Sequence, residues 1–217
     1  DEIGEGSLVR TGNESSVEIK FEDGNVFLLK PDTTIGLQTA RASGDNYSRY
    51  KMSLNVGKLV SNVQKATGKE SAVQIEAPTA VLGVRGTVFR SYVAPDGTTQ
   101  FEVLEGEVVV EGQRQTVEVK QGEGTIVYQG EAPIEPKKLL YPPSLASAYL
   151  PLYKKLPVSL SFSSVEGAVS YRVALANDRE MKNVIKEKVI ETQDVFEIAN
   201  LDDGTYFMQT NSIDEIG

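Results

Sequence analysis

Residues 77–89 read APTAVLGVRGTVF, an apolar run broken by Gly83 and Gly86 and carrying a single cation, Arg85. The β-branched and leucine side chains on either side look like two core strands, and the glycines mark the bend between them. Glycine alone takes positive φ, or lets two backbones touch, without a steric cost. The arginine has two readings. In the structural one its guanidinium pairs with a carboxylate such as Glu105 or Glu107, or bonds carbonyls at the bend, and Gly83 and Gly86 serve close packing. In the functional one it stands accessible in the turn and binds an anionic group such as a partner's carboxylate. The structural reading is the one expected.

Outward from this stretch, the first 130 residues read as strands almost throughout. SVEIKF places Val17, Ile19 and Phe21 on one face with Glu18 and Lys20 on the other, and the EDGN that follows is a hairpin turn in which Gly24 takes positive φ. The same alternation recurs at Met52, Leu54 and Val56, at Val73 and Ile75, at Phe101 and Val103, and at Val117 and Val119. No segment keeps a 3.6-residue period. A glycine stands between short apolar segments in LNVGKLV (Gly57), VLEGEVVV (Gly106) and VKQGEGTIV (Gly122), with EIGEGSLV a looser copy. Such punctuation marks corners where a sheet bends or backbones approach, and predicts an all-β roll or sandwich of about ten to twelve short strands.

Six of the nine prolines fall between Pro133 and Pro157, which divides the chain into a β domain over 1–132, a connector over 133–157 and a second β domain over 158–217. Within the connector, SLASAY is expected to form a helical turn or two from Ser144, stopped by Pro151. Beyond it, VSLSFSSVEGAVSYRVALA and EKVIETQDVFEIANLDDGTYFMQTNSI have the turns and alternation of a small sandwich, with DREMKNVI between them a helical turn or a loop at a strand edge.

Composition excludes several kinds of function. The net charge is −9, of which residues 1–136 carry −7, so no basic face neutralises phosphates and binding to nucleic acid or an anionic membrane is not expected. The chain has no histidine and no cysteine, which removes the commonest general base, thiol nucleophiles, thiolate metal sites and disulfides. No apolar run is long enough to span a bilayer, and the opening at Asp1 points to a processed chain whose address or anchor lies outside it.

The order of these motifs resembles the FecR-domain family of bacterial envelope proteins over roughly residues 4–131. The hallmark is carried by Pro78, Gly83, Val84, Arg85, Gly86, Thr87 and Phe89, with Ala77 where threonine is frequent. GSLVRTGNESSVEIKFEDG precedes it, LNVGKLV follows, and VLEGEVVVEG and VKQGEG come after. Residues 158–217 are similar to fibronectin type III or Ig-like modules, with Tyr171 and Tyr206 at packed positions, Phe162 and Phe207 where tryptophan is familiar, and an end where a last strand is expected. The resemblance implies an exported module, periplasmic or extracellular, that binds an envelope protein or peptidoglycan-associated polysaccharide, in a family often coupled to LysM modules. The alternative it implies is a sensor that regulates a sigma/anti-sigma system.

No enzyme, cofactor or metal site is expected. A glycosidase needs two carboxylates about 5–9 Å apart, a distance the sequence does not place, and Asp23, Asp96 and the pair Asp202 and Asp203 stand just before glycines, where aspartate serves turns. No calcium loop is present. Tyr47 and Tyr50 are candidate stacking rings for a sugar face, with packing the expected role. Tyr141, Tyr149 and Tyr153 are read as packing rings of the connector.

Overall fold

The computed structural model describes residues 2–43, 47–65, 72–146 and 152–215, with the side chains of Ala42, Ser43 and Tyr47 outside that description. The described residues contain no helix, and the protein is all-β. It divides into two compact units, Asp1–Leu139 and Leu140–Gly217.

Among the described residues the first unit has thirteen strands, in chain order β1 (Leu8–Arg10), β2 (Val17–Lys20), β3 (Val26–Leu29), β4 (Thr34–Ser43), β5 (Tyr47–Asn62), β6 (Ala72–Glu76), β7 (Val81–Val84), β8 (Val88–Val93), β9 (Thr99–Glu105), β10 (Glu107–Gly112), β11 (Gln115–Lys120), β12 (Glu123–Val127) and β13 (Lys137–Lys138). They are not uniformly short. β5 runs for 16 residues and belongs to two sheets. Its first half pairs with β4 and, in parallel, with β6, continuing through β7 and β10 to β11. Its second half pairs with β3 and β8, continuing through β9 and β12 to β13.

The change of sheet is built at Gly57. Thr34 faces Val56 but Ile35 faces Leu54, so Asn55 is an extra residue and the strand bulges there. Gly57 follows at φ +100°, and a Cβ on it would lie 2.5 Å from Thr33 Cα. Downstream of the bulge the inward positions change parity: Met52 and Leu54 are buried before it and Leu59 after it. The Thr33 hydroxyl stitches the corner, accepting from Lys58 N at 2.9 Å and donating to Lys58 O at 3.1 Å. Thr33 N in turn donates to the Thr11 hydroxyl at 2.9 Å. Both threonines are buried, so every such bond replaces one the backbone would otherwise make to water.

Between the sheets lies one apolar core that includes Phe27, Leu29, Leu54, Ile75, Phe89 and Phe101. Each such side chain removed from water contributes about 1.5–3 kcal/mol. The alternation that identified the strands sorts inward from outward residues. β10, for example, buries Val108 and Val110 and exposes Glu107, Val109 and Glu111.

The second unit has β14 (Val158–Leu160), β15 (Ser170–Ala176), β16 (Val184–Glu191), β17 (Phe196–Ile198) and β18 (Phe207–Ile213). β14 pairs with β17, and β15 is flanked by β16 and β18. Tyr171 is buried in its core, with its hydroxyl accepting from Val165 N and donating to Ser163 O, both at 3.0 Å. The Tyr206 hydroxyl donates to Asp202 O at 2.9 Å.

The proline-rich stretch read as a connector is shared between the units. Thr125 Oγ1 donates to Ile134 O at 2.7 Å and β13 pairs with β12, whereas Ser212 Oγ donates to Tyr141 O at 2.6 Å. The helix expected from Ser144 does not start there: Leu145 forms an antiparallel bridge to Phe162, and Ser144 N donates to Ser163 Oγ at 3.1 Å. The rest of SLASAY, with Tyr149, lies outside the described residues. DREMKNVI is a loop rather than a helical turn. Its turn is held by the Asp178 carboxylate, which accepts from Lys182 N and Asn183 N before β16 begins.

Candidate functional site

The hallmark stretch opens with a hairpin turn between β6 and β7 at Pro78, where Ala77 N donates to Ala80 O at 2.8 Å. Thr79 closes the turn from the side, its hydroxyl donating to Thr99 Oγ1 at 2.8 Å. β7 then runs through Leu82 and Val84, both buried, while Gly83 lies on the outer face. Gly83 is not there for close packing. A Cβ on it would meet only Val109 O, at 3.9 Å, and the space above it is open.

The bend itself is a backbone-to-backbone junction. Gly86 takes φ +64° with Lys65 Cα 3.1 Å from where a Cβ would stand. Opposite it, the turn between β9 and β10 has Gly106 at φ +83°, where a Cβ would lie 2.8 Å from Gly86 O. Both positions need glycine, for conformation and for space. Thr87 is buried between the two turns; its hydroxyl donates to Glu107 O at 2.8 Å and its carbonyl accepts from Val63 N at 3.0 Å. Phe89, two residues on, is fully buried in the core. Val84, Gly86, Thr87 and Phe89 are therefore the scaffold that fixes the bend, and Arg85 is what the bend displays.

Arg85 does not adopt the structural role expected of it. Its side chain is exposed, and among the described residues its guanidinium makes no hydrogen bond or ion pair, neither to Glu105 or Glu107 nor to carbonyls at the bend. Its backbone oxygen does accept a bond from Thr87 Oγ1, at 3.3 Å. The reason lies in the turn: the flanking residues Val84 and Thr87 both bury their side chains, which leaves the residue after Val84 pointing out of the sheet.

Of the two tyrosines read as stacking candidates, Tyr50 is 3% exposed and packs its ring on Phe21, with centroids 4.1 Å apart. Burial, together with a hydrogen bond to Asp23, pushes its hydroxyl well above the ordinary tyrosine range. It offers no face to a sugar. The side chain of Tyr47 lies outside the described residues. In the connector, Tyr141 is 85% exposed rather than packed. Among the described residues no group of three or more His, Cys, Asp or Glu is arranged to hold a metal.

Sequence reasoning missed the cations that share a face with Arg85. Arg41 and Arg49 face each other directly across β4 and β5, and Arg49 is also in register with Ala72 of β6. The signal was present in the odd-numbered positions of YSRYKMSLN, which place Arg49 and Lys51 opposite the buried Tyr50 and Met52.

This geometry defines a two-sheet β shell whose glycine-paired turns present one arginine to solvent. Residues 7–109 match the family model described as FecR protein, a span that runs from the turn before β1 to the middle of β10 and includes the whole hallmark stretch. The fold also resembles two crystal structures, at 1.65 and 2.50 Å resolution, of a candidate anti-sigma factor from Parabacteroides distasonis. Each aligns with a TM-score of 0.51 at 20% identity, over 61% of this chain and 59% of that one. The chain thus spans less than two thirds of the length of that relative, and the likeness is one of fold. The search of curated proteins found no match.

Proposed function

We propose that this chain is the extracytoplasmic, non-enzymatic part of a FecR-type regulator in a sigma/anti-sigma signalling system, periplasmic or extracellular in location, which works by contacting another envelope protein. The observation that carries this reading is the FecR family match over residues 7–109, the residues that build the shared-strand shell and the Arg85 turn. The anti-sigma description of the structures with the same fold supports regulation more directly than passive scaffolding. The burial of Tyr50 weakens the case for a glycan as the main ligand.

The shell suits such a role because it is a rigid presenter of loops and edges. Among the described residues β11 is hydrogen-bonded to β10 alone, which leaves its other edge as a place for an added strand from a partner. We read the second unit as a fibronectin-like sandwich. The bond from Tyr206 to Asp202 O, just before β18, supports this, since it resembles the tyrosine corner found in such folds. The test is genetic. Deleting the gene should change transcription of a discrete set of genes read by one extracytoplasmic-function sigma factor, and restoring the wild-type gene should reverse the change. An unchanged transcript profile under envelope stress and nutrient limitation would overturn the regulatory reading.

A further inference from the structure

We propose that the outward face of the sheet around Arg85 docks an extended, carboxylate-rich segment of a partner protein that also carries an apolar residue. The proposal does not depend on the regulatory reading above.

Register places the cations. Val84, the last residue of β7, pairs with Val108 on one side and Val73 on the other, so the next positions beside Arg85 are Glu107 and Ala72. Glu107 is opposite Lys120, Ala72 is opposite Arg49, and Arg49 is opposite Arg41. One outward row therefore reads Lys120, Glu107, Arg85, Ala72, Arg49, Arg41, and all six residues are exposed. With neighbouring strands about 4.8 Å apart, the row is about 24 Å long, the span of about seven extended residues.

Two features of the row point to an anionic occupant. Arg41 and Arg49 are a directly opposed like-charge pair, which costs stability in a bare sheet. Glu5 offsets part of that cost, its carboxylate lying 3.4 Å from Arg41 Nε and accepting from Ala40 N; Arg49 also has a partner, and Lys120 at the far end pairs with Glu118 at 3.8 Å. Arg85 has no such relief among the described residues, although the chain holds 31 acidic residues against 22 basic ones. A fork of guanidinium donors left open in an acid-rich protein matches a carboxylate in both charge and geometry. Glu107, its neighbour on the row, makes no ion pair with it, and the acids farther off are screened, since at physiological ionic strength charges are felt over about 8 Å.

The surface beside Arg85 explains why the occupant is a protein segment. Gly83 leaves a floor without a side chain, and Val109, its register partner on β10, is 45% exposed at the edge of that floor. An apolar residue on the floor with carboxylates on the row fills both.

The probe is a fluorescein-labelled octapeptide of six glutamates and two valines, titrated by anisotropy against the whole chain at low and physiological salt. Saturable binding is expected to weaken about tenfold in Arg85→Ala and to be unchanged in Arg179→Ala, an exposed arginine of the second unit. Gly83→Val, which fills the floor with a residue suited to a strand, should also weaken binding while leaving the circular dichroism spectrum and melting temperature in place. Equal affinity in wild type, Arg85→Ala and Gly83→Val would overturn the proposal, as would the absence of saturable binding to the wild type. Stronger binding of a labelled uronic-acid oligomer that depends on Arg85 would overturn the protein segment in favour of a polysaccharide.

Discussion

Gly106 and Gly86 sit so close that the carbonyl oxygen of Gly86 would be 2.8 Å from any Cβ added to Gly106. The turns between β7 and β8 and between β9 and β10 thus interlock through backbone alone. Gly106→Ala meets both this clash and an unfavourable positive φ, and it should cost about 3 kcal/mol. Urea denaturation of the variant is the measurement, and a loss under about 1 kcal/mol would contradict the interlock.

Thr87 joins the same two turns by a buried hydroxyl. Thr87→Val keeps the shape, loses the bond to Glu107 O and leaves that carbonyl without its partner, at an expected cost of about 1–2 kcal/mol. Thr87→Ser retains the donor and should recover most of the hydrogen-bond term. Thermal melts of the pair separate the hydroxyl from the methyl group.

Tyr50 makes stability fall at alkaline pH. Its hydroxyl is held above the ordinary value of 10.0 in the folded state, first by burial and then by the Asp23 hydrogen bond. The contribution is therefore complete below pH 10 and is lost above it, where the unfolded chain ionises first. Ultraviolet titration should show a tyrosine step that appears only with unfolding and is smaller in Tyr50→Phe.

Glu76 acts at the other end of the scale. The hydrogen bond from Lys51, whose Nζ lies 2.7 Å from Glu76 Oε1, holds its carboxyl below the ordinary 4.5, with Gln38 adding a smaller effect. Its stabilisation is present above that pH and fades as pH falls through the lower folded value. Because the pair is partly exposed, the effect is under about 1 kcal/mol. Glu76→Gln should flatten the acid limb of the urea midpoint by that amount and leave the alkaline limb unchanged.

The strands were legible because their inward faces repeat every two residues, as at Val17 and Ile19 or Phe101 and Val103, and the positive-φ glycines were legible because few other residues tolerate that conformation. Gly24, Gly57, Gly106 and Gly122 all adopt it. What a two-residue period cannot carry is a change of phase. Met52, Leu54 and Val56 look like one unbroken face, yet the bulge at Asn55 moves the buried positions to the other parity beyond Gly57. Gly83 and Gly86 also look equivalent in sequence, although one faces open space and the other faces Lys65. The partnering of Arg85 was not legible at all. Whether a long side chain finds a carboxylate depends on which strands lie beside it, and β10 and β6, the neighbours of β7, are not its sequence neighbours on both sides.

Because β5 is a member of both sheets, neither can peel away or slip in register without dragging the other along. The first unit should melt as a single cooperative block, and a ligand that clamps one face raises the unfolding cost of the opposite one through the common ribbon. A binding event at one surface then has a mechanical route to the far side that needs no hinge.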